Sequence, residues 1–321
     1  MKGLTDIAGI KVGHASDYDG ITGSTVILCE RGAVAGVDIR GGATGTEEID
    51  VISASHITPH VHAICLSGGS AFGLESASGV RKVLEQRRIG FGVGVTVVPI
   101  VPAAILFDLG IGKSAARPTR EMGEVAASAA HDGQVEEGNV GAGTGATCGK
   151  ALGLKNAMKA GIGTYTVEIG KAKVSALAAV NAYGDILDPA TGRILAGARV
   201  SPASREFADT VKLMKDRARS GSFGRQPARR ENTTLVVVAT DAKLNKVQAS
   251  RLAQFASQGM VRSIRPVHLG MDGDVAFALS CGDISIPLDV LCVAAAEAVA
   301  EAIARAVKSA KSLGGIPGLA G

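Results

Sequence analysis

The chain has 321 residues, of which 43 are glycine, about 13% against a usual ~7%. Hydrophobic residues make up 46% and charged residues 20%, which suits a packed core and excludes a disordered chain; no three-residue glycine period marks a collagen-like one. A net charge of +4, seven Phe, three Tyr and no Trp exclude an aromatic base-stacking platform, so no nucleic-acid partner is expected.

Strand-like runs rich in β-branched residues come first, at 24–30 (STVILCE), 33–39 (AVAGVDI) and 61–66 (VHAICL). The segment after Leu66 switches to helical spacing, with Leu74, Ala77, Val80 and Leu84 on one face and Gly90 as a stop. Residues 89–107 carry no charge and are long enough for a membrane span. Gly90, Gly92, Gly94, Pro99 and Pro102 interrupt them, so buried strand and turn is the expectation, with no membrane partner. Residues 131–150 form a glycine-rich loop, two strands follow between Thr164 and Leu187, and 203–219 reads as a helix. A basic stretch with Arg217, Arg219, Arg225, Arg229, Arg230 and Pro227 then reads as a surface loop. It runs straight into the apolar strand LVVVAT at 235–240. Asn245 with Gln248 makes a capping box for a helix ending at Gly259, 275–279 is a strand, and a last helix spans 288–313 with Gly314 as its cap. Clustered strands with helices following in both halves suggest a layered α+β protein.

Five cysteines without C-x-x-C pairing, and a start without an apolar leader segment, lead to the expectation of reduced thiols in a cytoplasmic protein. Gly141, Gly143 and Gly145 fit neither nucleotide loop. They follow a polar acidic stretch rather than a strand, and Ala151 stands after Lys150 where a phosphate loop needs Ser or Thr. What remains is a lysine delivered at the end of a glycine loop, a position that an ordinary surface lysine could also occupy. His56, His60 and His62 lack the helix and supporting ligands of a zinc site, and Asp272-Gly273-Asp274 lacks the remaining ligands of a calcium loop. No metal and no cofactor is expected.

The junction at 232–233 carries the chemistry. A loop rich in Arg and Gly enters a buried strand through Asn232, Thr233 and Thr234. A threonine freed by cleavage of its own peptide bond carries nucleophile and base together, since a free α-amine has a reference pKa of ~7.7–8.0. A threonine that simply begins a strand is the commoner case.

Six ordered segments bear on this choice: DIRGGATGT (38–46), AICLSGGSAFGLESASGV (63–80), VPIVPAAILFDLG (98–110), GNVGAGTGATCGK (138–150), NTTLVVVATDA (232–242) and MDGD (271–274). Through them nearly the whole chain resembles the P1 (DmpA-like) family of self-processing N-terminal-nucleophile hydrolases, which includes L-aminopeptidase/D-esterases, β-aminopeptidases and nylon-oligomer hydrolase. The Asn-Thr junction and the Asp-x-Asp pair are similar to the nylon-oligomer branch, whereas VPIVPAAILFDL looks more like the aminopeptidase-type members.

The resemblance implies a four-layer αββα sandwich formed by residues 1–321 as one domain. It further implies autocleavage between Asn232 and Thr233 into an α chain (1–232) and a β chain (233–321), assembled as homotetramers of αβ protomers. It implies Thr233 as nucleophile, Asn181 as oxyanion donor and Lys150 paired with Asp274. Asp272 and Asp274, at i and i+2 of an extended segment, are both expected to point at Thr233. Phe107 and Tyr183 are candidate pocket walls. The expected activity is hydrolysis of small peptides or amides, aminopeptidase-type, with D-, β- or ω-amino acid amides in its range. Alternatives are an endo-acting 6-aminohexanoate-oligomer hydrolase, an acyltransferase like the ornithine acetyltransferases, whose motifs are absent, and an inactive binding or structural homologue.

Overall fold

A computed structural model describes residues 2–220 and 232–321. Much of the basic stretch expected as a surface loop lies outside the described residues. Its first two arginines, Arg217 and Arg219, are helical.

The principal elements are β1 (Lys11–Asp17), β2 (Thr22–Ile39), β3 (Val61–Ser67), α1 (Ser76–Gln86), β4 (Ala103–Ile105), α2 (Arg120–Ala129), β5 (Ile162–Ile169) and β6 (Ala172–Asn181). After them come α3 (Thr210–Arg219), β7 (Thr233–Ala242), α4 (Lys246–Ser263), β8 (Val275–Ile284) and α5 (Leu288–Lys308). The ladder runs β5-β6-β7-β8-β2-β3-β4, with β1 also on β2. The two early strands read from the sequence are one long strand. The register of β2 shifts between Leu28 and Ala33, where Gly32 is left-handed; its first half pairs with β1 and β3, its second with β8. A bulge of this kind bends a strand and lets it pass from one layer to another.

Side-chain alternation along β7 shows the layering. Leu235, Val237 and Ala239 join β8's Val275 and Phe277 and the early strands' Ile27, Ile64 and Leu66 in a core between the sheets. Val236 and Val238 face the other way, against Leu252 and Ala256 of α4 and Val299 and Ile303 of α5. A third core packs α1 and α2 on β1, β2 and β3. Helices, sheet, sheet, helices is the αββα order.

Three helix boundaries differ from the sequence reading. α3 starts at Thr210, because the Asp209 carboxylate caps Val211 and Lys212 N–H groups there. α4 has the expected capping box but continues through Gly259, whose missing side chain admits Ala296 and Val299 of α5. α5 stops at Lys308, and Gly314 sits instead in the turn joining Leu313 to Ile316. The uncharged stretch 89–107 holds only short strands, and no described helix is long and apolar enough to cross a membrane.

Part of the glycine excess serves interlayer contact. A Cβ on Gly163 would fall inside the backbone of α5 at Ala302 and Ala306, while Gly79 and Gly123 let α1 and α2 touch backbone to backbone. Gly163→Val should therefore lower the urea unfolding midpoint, at a cost of about 1–3 kcal/mol. Gly92→Ala, where nothing lies within 4 Å, should stay within ~0.5 kcal/mol of the parent.

Candidate active site

Three strand ends meet at the junction singled out in the sequence. β6 ends at Asn181, β7 begins at Thr233 and β8 begins at Val275. The antiparallel β6–β7 register sets Asn181 opposite Thr233, and the parallel β7–β8 register sets Leu235 beside Val275. An Asn232–Asp272 bridge extends that register backwards, so Thr233 lies level with Gly273.

Thr233 is buried, and its Oγ1 donates to the carbonyl oxygen of Asn232 at 2.6 Å. The Gly273 N–H donates to the same oxygen at 2.9 Å. A Cβ on residue 273 would stand 2.6 Å from Thr233 Oγ1, so only glycine leaves the hydroxyl its place. The carbonyl thus sits next to a hydroxyl and under a backbone donor of the kind that stabilises a developing oxyanion.

The aspartates do not both point at the hydroxyl as the sequence suggested. Strand alternation places Asp272 and Asp274 on the side of Asn232 and Thr234, with Gly273 facing Thr233. Asp274 Oδ1 accepts the Thr234 N–H at 2.7 Å, and Oδ2 accepts the His268 N–H at 3.2 Å and lies 2.9 Å from His268 Nδ1. Asp272 Oδ2 accepts the Leu269 N–H at 2.8 Å. Burial first, and the neighbouring Asp274 charge second, push the Asp272 carboxyl up to about 7. Its Oδ1, both polar side-chain atoms of Asn232, Thr234 Oγ1 and His268 Nε2 are buried without a hydrogen-bond partner among the described residues.

Lys150 reaches Asn181 rather than Asp274, a correction to the expected ion pair. The loop that carries it is stitched to the segment after β6 by Gly149 N–H to Gly184 O and Lys150 N–H to Tyr183 O, both 3.0 Å. Its ammonium then runs back to Asn181, 2.7 Å from Oδ1 and 3.0 Å from the main-chain oxygen. The Thr147 N–H meets Oδ1 as well, at 3.1 Å, which fixes the amide orientation and turns Nδ2 to the Phe107 carbonyl at 2.8 Å. The amide expected to face an oxyanion therefore donates to Phe107, and the junction carbonyl is held by Gly273 instead. Phe107 lines a narrow slot with Thr147, Lys150 and Leu154, and Tyr183 lies beside Asp272, whose charge helps raise its phenol after burial.

Sequence reading missed three participants. Gly273 was seen only as the spacer of MDGD. His268 precedes that motif with nothing in its spacing to mark it. Lys159 is fully buried beneath the glycine loop, donates from Nζ to the carbonyls of Thr144 and Ala146, and is pushed down to about 7 by burial. Among the described residues no group of three or more His, Cys, Asp or Glu side chains could hold a metal; His56 turns to Thr58, and His62 to the Ile100 N–H.

Comparison with known proteins fits this geometry. A family model described as peptidase family S58 matches residues 2–320. An uncharacterized aminopeptidase of Mycobacterium tuberculosis is 37% identical, over 99% of this chain and 96% of its own. A 6-aminohexanoate-oligomer endohydrolase of Kocuria sp. is 30% identical, over 88% of this chain and 76% of its own. Among solved structures, the L-aminopeptidase D-Ala-esterase/amidase of Ochrobactrum anthropi, a variant of the Ntn hydrolase fold, superposes with a TM-score of 0.72. It covers 98% of this chain and 88% of its own at 20% identity, a likeness of fold.

The raised Asp272 carboxyl has a consequence for stability. Between its unfolded value near 4 and about 7 the folded chain holds a proton that the unfolded chain releases, so its contribution falls as pH rises through that window. In a Thr233→Ala background, Asp272→Asn should give no gain in urea midpoint at pH 4. The gain should grow toward pH 8.

Proposed function

This chain belongs to peptidase family S58 and is an amide- or peptide-bond hydrolase of aminopeptidase type; from that premise we propose that it activates itself by cutting the Asn232–Thr233 bond and then works through the freed Thr233. The observation that carries the reading is the shared carbonyl of Asn232, met by the Thr233 hydroxyl at 2.6 Å and the Gly273 N–H at 2.9 Å.

In self-cleavage, Thr233 Oγ attacks the Asn232 carbonyl carbon while Gly273 N–H receives the oxygen charge. The C–N bond breaks as the nitrogen takes the hydroxyl proton, leaving an ester. Water then hydrolyses the ester to an Asn232 carboxylate and a free threonine hydroxyl. Asp272, whose carboxyl is pushed up to about 7 by burial and the Asp274 charge, suits the proton transfers at the nitrogen.

In turnover the free α-amine takes the Thr233 hydroxyl proton and passes it to the leaving amine of a substrate amide. An acyl-enzyme forms, and water completes its hydrolysis. Lys150 orders Asn181 opposite the nucleophile. Asn181 Nδ2 has a second N–H besides the one given to the Phe107 carbonyl, and through it would serve the substrate oxyanion. Phe107 borders the slot toward which a small acyl group would lie, with Tyr183 as the other candidate wall.

The 30% identity to a 6-aminohexanoate-oligomer endohydrolase favours a second reading, in which the cut falls inside ω-amide oligomers. Association of αβ protomers as homotetramers completes the proposal.

Mass spectrometry of purified protein should show two chains, residues 1–232 and a species starting at Thr233. One intact mass with full activity overturns the proposal. Thr233→Ala should remain a single chain and lose at least about 10³-fold in kcat/KM. Turnover of aminoacyl p-nitroanilides without internal cleavage of 6-aminohexanoate oligomers selects the aminopeptidase reading, and the reverse selects the endohydrolase. Cleaved protein inactive on both would indicate a binding homologue.

A further inference from the structure

We propose, resting on the reading above, that His268 is a positioning residue that acts through Asp274: it anchors that carboxylate against the first residue after the nucleophile. His268 is absent from the sequence-derived site, and nothing in the comparisons assigns it a role.

Four observations converge on it. His268 approaches Asp274 Oδ2 twice, through its own N–H at 3.2 Å and through ring Nδ1 at 2.9 Å. The other carboxylate oxygen accepts the Thr234 N–H at 2.7 Å, so one buried carboxylate ties the 268 loop to the residue adjoining Thr233. The backbone of His268 is left-handed, φ +59°, an uncommon conformation for a residue other than glycine. The ring is mostly buried, and its Nε2 is buried without a hydrogen-bond partner among the described residues.

The electrostatics give this contact a purpose. Two carboxylates two residues apart in a buried site disfavour each other's ionisation. Lys150 gives its close contacts to Asn181, and the ion pair of Asp274 is with His268. The titratable groups facing the pair among the described residues are Asp272 and Asp274 themselves, His268 on the same segment, Lys150 from the glycine loop and Tyr183 from the segment after β6. His268, with Lys150, is among the charges that pull the raised Asp272 carboxyl back down, so its loss should push Asp272 further up.

The test is kcat and KM against pH for wild type, His268→Gln and His268→Leu. His268→Leu removes both hydrogen bond and charge. It should lower kcat roughly tenfold to a hundredfold, with KM nearly unchanged. Its acid limb should move up by about one pH unit, because the carboxylate pair loses its cation. His268→Gln restores a donor without the charge and should recover most of kcat while keeping the displaced limb. Loss of kcat in both variants with no movement of the limb would mean a merely structural role and overturns the proposal. A second readout needs neither processing nor turnover. In the Thr233→Ala protein, the Thr234 amide should exchange with solvent several-fold faster in His268→Leu than in His268→Gln, because its acceptor Asp274 loses its anchor. Equal exchange overturns the anchoring. A chain that never cleaves would defeat self-processing and leave this result standing.

Discussion

One backbone contact sets the rest of the site: the Gly273 N–H on the Asn232 carbonyl, made possible by the parallel alignment of β7 with β8. A shift of either strand by one residue would exchange the faces of every side chain at the junction, replacing Gly273 with an aspartate before the Thr233 hydroxyl. The register is held far from the chemistry, by Val236 and Val238 packed on the helices and Leu235 and Val237 packed between the sheets. The apolar run after Thr233 thus acts as a ruler. Its burial on both faces is what positions a carbonyl to within hydrogen-bond distance of two donors.

The same constraint explains the concentration of unpaired polar atoms at the junction. Protein interiors satisfy nearly all buried polar groups, yet the Asn232 amide, Thr234 Oγ1, His268 Nε2 and Asp272 Oδ1 have no partner among the described residues. A core optimised for stability would replace them with apolar groups or complete their bonds. Retaining them keeps a carboxyl near neutrality and a site with hydrogen-bonding capacity to spare, which is the balance expected where function overrides stability.

Fold legibility varied with the length scale of the signal. The α4 capping box and the buried strands at 61–66 and 235–240 were legible because local hydrogen bonding and apolar runs fix them. Gly259 and Gly314 were misread as helix ends. A glycine's role depends on what approaches it, and the backbone of α5 beside Gly259 lies some forty residues away in sequence. The continuity of β2 was hidden for a similar reason, since a bulge at Gly32 looks like a turn until the partners on either side are known.

By itself the sequence determined the layered α+β class, the resemblance on which an αββα sandwich rests, the Asn232–Thr233 junction and part of the set of residues gathered there. These follow from periodicity, from composition breaks and from ordered motifs, all of which are properties of the chain read in one dimension. Only the tertiary structure decided who faces whom: Lys150 with Asn181, His268 with Asp274, and Gly273 with the junction carbonyl. Pairings of this kind depend on strand register and on which face a side chain takes, and both are set by packing between segments far apart in the chain, such as β2 and β8, beyond the reach of any local pattern.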